Sequence, residues 1–298
     1  MDGLTAAEQG FLLLTSHLGV AERKPLTAAQ LRQLSQRVHA AGRKNADADL
    51  HPRDLIALGY TEESAERICQ LLQETELLRY YLEKGKKAGC FPITRASEKY
   101  PIRVRRTLGL DAPGCLWAKG DAALLHGPKI ALVGCRDLAE PNREFARKAG
   151  QQAALQGYAL VSGNARGADK ISQEACLEAG GHVISVVADN LQKHPLTRNV
   201  LYLSLDDFDQ GFSVQRALQR NYVIHTMGSL VVAAQCSFGK GGTWDGTLTN
   251  LSHKWTPVCM YDDGSDAAAG LQNCGARLIH MEELQDLSAL MEEPICFL

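Results

Sequence analysis

Three short segments combine glycine with basic or hydroxyl side chains, and each of them follows an apolar stretch. They are VGCR with Gly134 and Arg136, SGNARGAD with Ser162, Gly163, Arg166, Gly167 and Asp169, and FGKGGTWDGT with Lys240, Gly241, Gly242 and Thr243. Glycine lets backbone N–H groups approach an anion at the start of a helix, and Arg or Lys adds positive charge. Each segment alone is also compatible with ordinary turn chemistry. Together, at one edge of a sheet, they predict a phosphate-binding surface, which we call the crest.

Two further arginines extend this prediction. The sequence SVQRALQRNYVIH places Arg216 and Arg220 four residues apart, on one face of a predicted helix. They are suited to contacts with successive phosphates, or they simply remain solvated.

Asp169, at the start of another predicted helix, is either a cap or an acid that orients Arg166. The sequence leaves these alternatives open.

The motifs of several common enzyme classes are absent from the sequence. GCRDLAEPN follows the first strand where dinucleotide-binding enzymes have GxGxxG, and GxxxxGK[ST], the signature of P-loop ATPases, does not occur. GxSxG, HExxH and paired metal spacings are also missing, so His194, His225 and His280 are expected at the surface or in packing roles. The sequence therefore predicts no catalytic residues, no cofactor and no metal, and it disfavours an enzyme.

From Lys129 onward, apolar runs alternate with helical patterns. The runs KIALVGCR, YALVSGNA, HVISVVAD, SLVVAAQC and PVCMYDD are apolar enough for strands buried on both faces. Helical patterns separate them at residues 141–156, 168–180, 213–227 and 244–254. This alternation predicts an α/β fold with a Rossmann-like, doubly wound and mostly parallel sheet. Ligands bind beyond the carboxyl ends of such strands, which is where the crest residues occur.

The first 90 residues predict a small all-helical N-terminal domain. Thr5 and Thr27 precede apolar residues at helical spacing, and Gly42 ends the second run. A further helix pair surrounds the LGY turn, in a pattern compatible with packing, with a dimer contact or with clamping of a nucleic-acid backbone. Residues 91–128 are rich in Pro and Gly, which indicates an irregular, extended linker or a short extended strand such as CLWAKG. We therefore expect a helical domain over 1–90, the linker over 91–128 and the Rossmann-like domain over 129–298.

Composition and charge narrow the possible functions. The 298 residues are 45% hydrophobic and 22% charged, as in ordinary globular proteins. The formal net charge of −2 excludes binding to polyanions through bulk charge, so any such site is local. Nine cysteines without a CxxC pair favour reduced thiols. The chain has no apolar run of membrane-spanning length and no basic secretory start, so we expect a cytoplasmic protein that does not bind membranes.

A series of motifs over residues 90–277 resembles the bacterial DNA processing protein A (DprA/Smf) family. The motifs are YPIRV, APGCLWAKGD, IALVGCR, VSGNARGAD, RNYVI and a glycine loop after SLVVAAQC, in that order. The resemblance implies a Rossmann-like domain that binds single-stranded DNA, a homodimer, and a role in loading the recombinase RecA during natural transformation. The binding positions that it implies are Arg136, Ser162, Gly163, Arg166, Gly167, Asp169, Arg220, Asn221, Gly241, Gly242 and Thr243.

The chain departs from the family pattern at two places. Tyr222 follows Arg220 and Asn221 where the family usually has a basic residue, and GGTWDGT stands where the family usually has SGSLxTA. The second departure resembles the glycine loops of nucleotide-binding relatives. Binding of a nucleotide-derived ligand, or less favourably a nucleotide phosphoribohydrolase activity, therefore stays an alternative. Trp244 in this loop is either a core residue or a ring on which a base stacks.

Overall fold

The first structural unit is formed by residues up to Lys119 together with Asn190–Pro195 and Ser204–Gln210. The computed structural model describes residues 3–42 and 50–291 of the chain. The helices of this unit are α1 (Ala6–Thr15), α2 (Ala28–Ala40), α3 (Pro52–Ala57), α4 (Glu62–Gln73), α5 (Thr75–Lys87) and α6 (Ile102–Leu108). Its strands are β1 (Cys90–Thr94) and β2 (Cys115–Lys119).

The predicted helix starts in this unit are confirmed by their caps. The hydroxyl of Thr5 accepts the N–H of Glu8 at 3.3 Å, and the Glu8 carboxylate accepts the N–H of Thr5 at 2.8 Å. Thr27 and Gln30 form the same reciprocal pair at the start of α2. Each pair satisfies two of the N–H groups that a helix start leaves without intrahelical partners.

Residues 91–128 differ from the extended linker that the sequence predicts. β1 pairs antiparallel with β2 from Cys90 opposite Lys119 to Thr94 opposite Cys115, and α6 lies between the two strands in the chain. Pro92 is tolerated because β1 lies at an edge of its sheet, where a missing N–H costs no ladder bond. The alternative prediction of a short strand at CLWAKG is confirmed by β2, and elsewhere the Pro and Gly density marks turns and the edge strand β1.

An aromatic cluster fills the core of the first unit. The ring of Tyr81 stacks on Phe208 with centroids 4.7 Å apart, and Trp117 lies 4.8 Å from Phe208. The Tyr81 hydroxyl donates to Asp209 at 2.7 Å. Phe208 and Asp209 belong to the part of the chain that the sequence assigned to the Rossmann-like domain. Their packing against residues more than 90 positions away has no local sequence signal.

The second unit is the α/β domain, and its fold class is confirmed. Its strands are β3 (Lys129–Val133), β4 (Ala159–Ser162), β5 (Val183–Val187), β6 (Val200–Ser204), β7 (Val231–Ala233), β8 (Val258–Tyr261) and β9 (Arg277–Ile279), with Ser204 just beyond the unit boundary. Its helices are α7 (Glu140–Leu155), α8 (Ala168–Glu178), α9 (Val214–Met227), α10 (Gly242–His253) and α11 (Asp266–Asn273).

The strands of this unit follow the order β6-β5-β4-β3-β7-β8-β9. Parallel pairing joins β5 to β4, β4 to β3, β3 to β7, β7 to β8 and β8 to β9. Ile130, Leu132, Leu160 and Val232 of the central strands are fully buried beside Phe145 of α7. All carboxyl ends of these parallel strands meet at one edge, which brings the three glycine segments to the same side of the sheet.

Two sequence expectations concern the whole chain. The eight cysteines of the described residues are all free thiols, as predicted, and Cys296 lies outside those residues. Within residues 3–42 and 50–291, every helix is too short or too polar to cross a membrane.

Candidate functional site

The crest is centred on the point where the strand order reverses. β4 and β5 lie on one side of β3, and β7 and β8 lie on the other, so the crevice between β3 and β7 is the switch point at which such sheets bind ligands. The N–H of Cys135 donates to the Gln235 carbonyl at 2.9 Å beyond the two strand ends. The hydroxyl of Thr243, at the start of α10, donates to the Gly134 carbonyl at 3.0 Å. The structure therefore joins the first and third glycine segments.

Two glycines of the crest allow backbone segments to approach closely. A Cβ at Gly134 would lie 2.4 Å from the Cβ of Ala168, at the start of α8. Gly167 has a φ of +90°, and a Cβ there would lie 2.4 Å from the Cys135 carbonyl oxygen. These glycines bring the start of α8 against the end of β3, which is a packing role in addition to any contact with an anion.

Asp169 is a buried internal acceptor. Its Oδ2 accepts the N–H of Gly163 at 3.1 Å and the N–H of Ala165 at 3.0 Å. Burial raises the pKa of Asp169, and the nearby charge of Arg220 and the two N–H groups oppose that rise. The Asp169 carboxylate therefore occupies backbone N–H groups that the sequence analysis expected a phosphate to bind.

Arg166 forms its ion pair with Asp137, so the interpretation that Asp169 orients Arg166 is wrong. The Nη2 of Arg166 lies 2.7 Å from the Oδ1 of Asp137, and the two side chains are 74% and 86% exposed. The pair connects the loops that follow β3 and β4. The sequence analysis missed Asp137, although its position directly after Arg136 was a usable signal.

Arg220 braces the ends of β4 and β5. Its Nη1 donates to the carbonyl of Gly163 and, at 2.7 Å, to that of Val186. Burial lowers the pKa of Arg220, and the carboxylates of Asp169 and Asp189 oppose that decrease. A Cβ at Gly163 would lie 2.6 Å from the Nη2 of Arg220, so glycine makes room for the guanidinium. Arg220 therefore positions the backbone of the crest.

The remaining predicted residues fall into exposed and inward-facing groups. Arg136 and Lys240 are exposed, like Arg166. Ser162 is buried and accepts from the Gln173 amide at 2.5 Å, and the Arg216 guanidinium donates to the Gly211 carbonyl. The described structure thus separates side chains that can reach an anion in solvent from those that hold the backbone.

The glycine loop before α10 presents a helix start at the switch point. Gly241 has a φ of +92°, and the amide of Asn221 holds the Gly242 carbonyl at 3.0 Å. A Cβ at Gly242 would lie 3.3 Å from the Nδ2 of Asn221, which requires only a small adjustment. The first amides of α10 and the positive end of its dipole face the crest, which is the usual arrangement of an anion site.

Trp244 is a core residue, which decides between the two interpretations of the sequence. It is 7% exposed, and its ring lies 4.9 Å from that of Phe238. A Cβ at Gly270 of α11 would lie 2.9 Å from the Trp244 ring, so glycine admits the indole. Base stacking on Trp244 is therefore not available in this conformation.

The family model of DNA recombination-mediator protein A matches residues 92–287. DNA processing protein DprA of Bacillus subtilis (strain 168) is 33% identical over 129 residues, which cover 43% of this chain and 41% of that protein. Protein Smf of Escherichia coli (strain K12) is 33% identical over 120 residues, or 40% of this chain and 31% of that protein. The chain thus spans less than half the length of these curated relatives.

Two relatives of known structure share the fold. DprA from Streptococcus pneumoniae superposes with a TM-score of 0.72 at 20% identity, covering 94% of this chain and 97% of that one. DprA from Helicobacter pylori, described for its single-stranded DNA binding mode, gives a TM-score of 0.56 at 22% identity and covers 66% of this chain and 94% of that one. The family model covers about two thirds of the chain, through both the antiparallel ladder and the α/β unit. The chain therefore belongs to the DNA recombination-mediator protein A family.

Proposed function

We propose that the crest binds single-stranded DNA through its phosphates and that the chain acts as a recombination mediator. The observation that carries this proposal is a set of exposed basic side chains, Arg136, Arg166 and Lys240, in the loops after β3, β4 and β7. The amides at the start of α10 add donors at the same edge. Family membership supports DNA as the polyanion, and the Helicobacter pylori relative is described as binding single-stranded DNA.

The chemistry of these groups favours binding with little sequence preference. Guanidinium, ammonium and backbone N–H groups suit phosphate oxygens, whereas discrimination between bases needs contacts to base edges. The net charge of −2 leaves the exposed basic side chains of the crest as a local source of attraction. Binding should therefore depend on a few ion pairs and weaken steeply with salt.

Salt titration of single-stranded binding tests the proposal. With about three or four phosphates neutralised, the slope of log affinity against log salt should be about −2 to −3, at roughly 0.7 per contact. Fluorescence anisotropy with a labelled oligothymidylate measures the slope, and a duplex of the same length is the control. A flat salt response, or equal affinity for the duplex, contradicts the proposal.

A nucleotide-derived ligand is the second candidate because α10 starts at the switch point between β3 and β7. Doubly wound sheets often hold nucleotides at this position, and the Thr243 to Gly134 bond fixes the helix start there. Gly242→Val places a branched side chain beside the first amides of α10. If that variant loses binding of a mononucleotide and retains oligonucleotide binding, the second candidate is favoured for this loop.

We further propose a binding rather than a catalytic role, a homodimer, RecA as protein partner and the cytoplasm as the compartment. Family resemblance supports the dimer and the RecA contact, and the free thiols of the described residues fit a reducing compartment. Sedimentation analysis tests the dimer, and co-sedimentation with RecA on single-stranded DNA tests the contact.

A further inference from the structure

The two halves of α9 have different surroundings. The five residues Val223–Met227 are all buried and belong to the core of the α/β unit. Every residue from Val214 to Tyr222 is exposed or partly exposed. The first half of α9 therefore projects beyond the packed part of the unit. Arg220 in this half reaches the ends of β4 and β5, so the projecting half stands at the carboxyl edge of the sheet.

The projecting half carries a line of apolar side chains. Val214, Leu218 and Tyr222 are four residues apart and therefore lie along one face of the helix. They are 68%, 44% and 42% exposed. Single exposed apolar residues are ordinary on protein surfaces, but three in a row along one helix form a patch. We call these three residues the α9 stripe.

The α9 stripe adjoins the glycine loop of the crest. A Cβ at Gly242 would lie 3.5 Å from the Cδ2 of Leu218. Asn221, one residue before Tyr222, holds the Gly242 carbonyl at 3.0 Å. An apolar surface and the amide end of α10 are thus in contact along one side of the crest. A ligand that binds there meets an anion site and an apolar surface together.

Single-stranded nucleic acid has both of the chemical features that this surface requires. Its phosphates are anionic, and its unpaired bases expose apolar faces that a duplex keeps stacked inside. We propose that the α9 stripe is the surface on which the bases of a bound strand lie while a neighbouring phosphate meets the start of α10. This inference rests on the proposed binding of single-stranded DNA and adds a physical reason for preferring single strands to duplex.

A comparison of two strands with equal numbers of phosphates tests the base contact. Oligothymidylate and an abasic oligomer of the same length are titrated against the wild type, Leu218→Gln and Tyr222→Ala. Leu155→Ala is the control, because Leu155 is 63% exposed but ends α7, away from the crest. We expect Leu218→Gln and Tyr222→Ala to weaken oligothymidylate binding about five- to tenfold, and to weaken abasic binding at most about twofold.

The outcomes separate this inference from the proposed function. If the wild type binds neither strand, the proposed function fails. If the wild type binds both and the two stripe variants bind oligothymidylate as well as Leu155→Ala does, the stripe does not contact bases. Equal losses for both strands also overturn it, since they indicate damage to the phosphate site. A change in sedimentation mass without a change in affinity would assign the stripe to contact between copies. Because the stripe is exposed, melting temperatures should stay near the wild-type value. Tyr222 also contacts the ring of Trp255, so if Tyr222→Ala lowers the melting temperature, Leu218→Gln alone decides between the outcomes.

Discussion

The segments after β4 and after β7 use similar residues for different purposes. Both run from a strand through glycines into a helix, and the sequence assigned both to phosphate binding. After β4, the Asp169 carboxylate accepts the N–H groups of Gly163 and Ala165. After β7, the side-chain hydrogen bonds at the start of α10 use the Thr243 hydroxyl and the Gly242 carbonyl. The first segment therefore carries an internal anion, the Asp169 carboxylate, whereas we propose that the second binds an external anion at the start of α10.

One acidic side chain accounts for this difference. An acid near the start of a helix takes the place that a bound phosphate would occupy, because both accept the same backbone donors. Asp245 in α10 lies at a similar position but is exposed. The buried acid completes the turn after β4 internally, and under the proposed function the exposed acid leaves the turn after β7 open to a ligand.

Removal of the internal acid should have the largest effect on stability. Asp169→Ala leaves the buried N–H of Gly163 and the partly buried N–H of Ala165 without their acceptor. It also removes the carboxylate that faces Arg220, and the total cost should be about 2 to 4 kcal/mol. Urea unfolding measures the loss. Asp169→Asn, which keeps one oxygen acceptor, should lose less.

An unchanged free energy of unfolding in Asp169→Ala would mean that the loop after β4 is not completed by this carboxylate. The difference between the two segments would then disappear. The same experiment on Asp245→Ala, at the exposed position in α10, provides the matched control and should change stability by less than about 0.5 kcal/mol.

Acidification should destabilise the packing of α9 beside α10, the helix that begins in the segment after β7. His225 of α9 is buried, and its Nε2 would lie 3.2 Å from a Cβ at Gly246 of α10. Burial lowers the pKa of His225 from 6.5 to about 4. Because the folded pKa is below the unfolded one, the stability from the neutral ring is complete above pH 6.5 and is lost as the pH falls toward 4. The loss should reach about 3 kcal/mol.

Unfolding free energies measured between pH 7 and 4 test this expectation. His225→Leu, which keeps an apolar side chain of similar bulk, should reduce the dependence on pH. The pKa of Asp169 is raised by burial, so that group contributes in the opposite sense and favours the fold as the pH falls. A pH profile that His225→Leu leaves unchanged would assign the acid sensitivity to other groups.

The sequence predicted the helices and strands better than it predicted which side chains contact one another. Apolar runs and helical spacing located the main strands of the α/β unit and placed the crest residues at one edge, because both signals are local. β1 with its pairing to β2, β6 and β9 were missed, since short strands depend on neighbours distant in the chain. The pairing of Arg166 with Asp137 and the bracing by Arg220 were missed for the same reason. Charge and glycine identify a loop that can hold an anion, and only packing determines whether the protein already supplies one.

Arg166 is the exposed counterpart of Arg220, the arginine that holds the backbone of the crest. Arg166→Ala should weaken single-stranded DNA binding by about 1 to 3 kcal/mol and leave the melting temperature nearly unchanged, because its only described ion pair is exposed to solvent. Anisotropy and thermal unfolding measure the two effects. Arg147→Ala, which removes an exposed arginine further along α7 that is paired with Glu144, is the matched control and should bind as the wild type does.

Asp137 should have a smaller effect on the affinity for single-stranded DNA, through its ion pair with Arg166. In the free protein the Asp137 carboxylate accepts a hydrogen bond from the guanidinium of Arg166. A phosphate must therefore compete with this carboxylate for the same N–H groups. Asp137→Asn removes the competing charge and should strengthen binding by about 0.3 to 1 kcal/mol, the range of an exposed ion pair, with the larger gain at low salt. In the Arg166→Ala background most of that gain should vanish. If Asp137→Asn weakens binding instead, the carboxylate holds Arg166 in its binding position, and the loop after β4 would then support the external anion as well as the internal one.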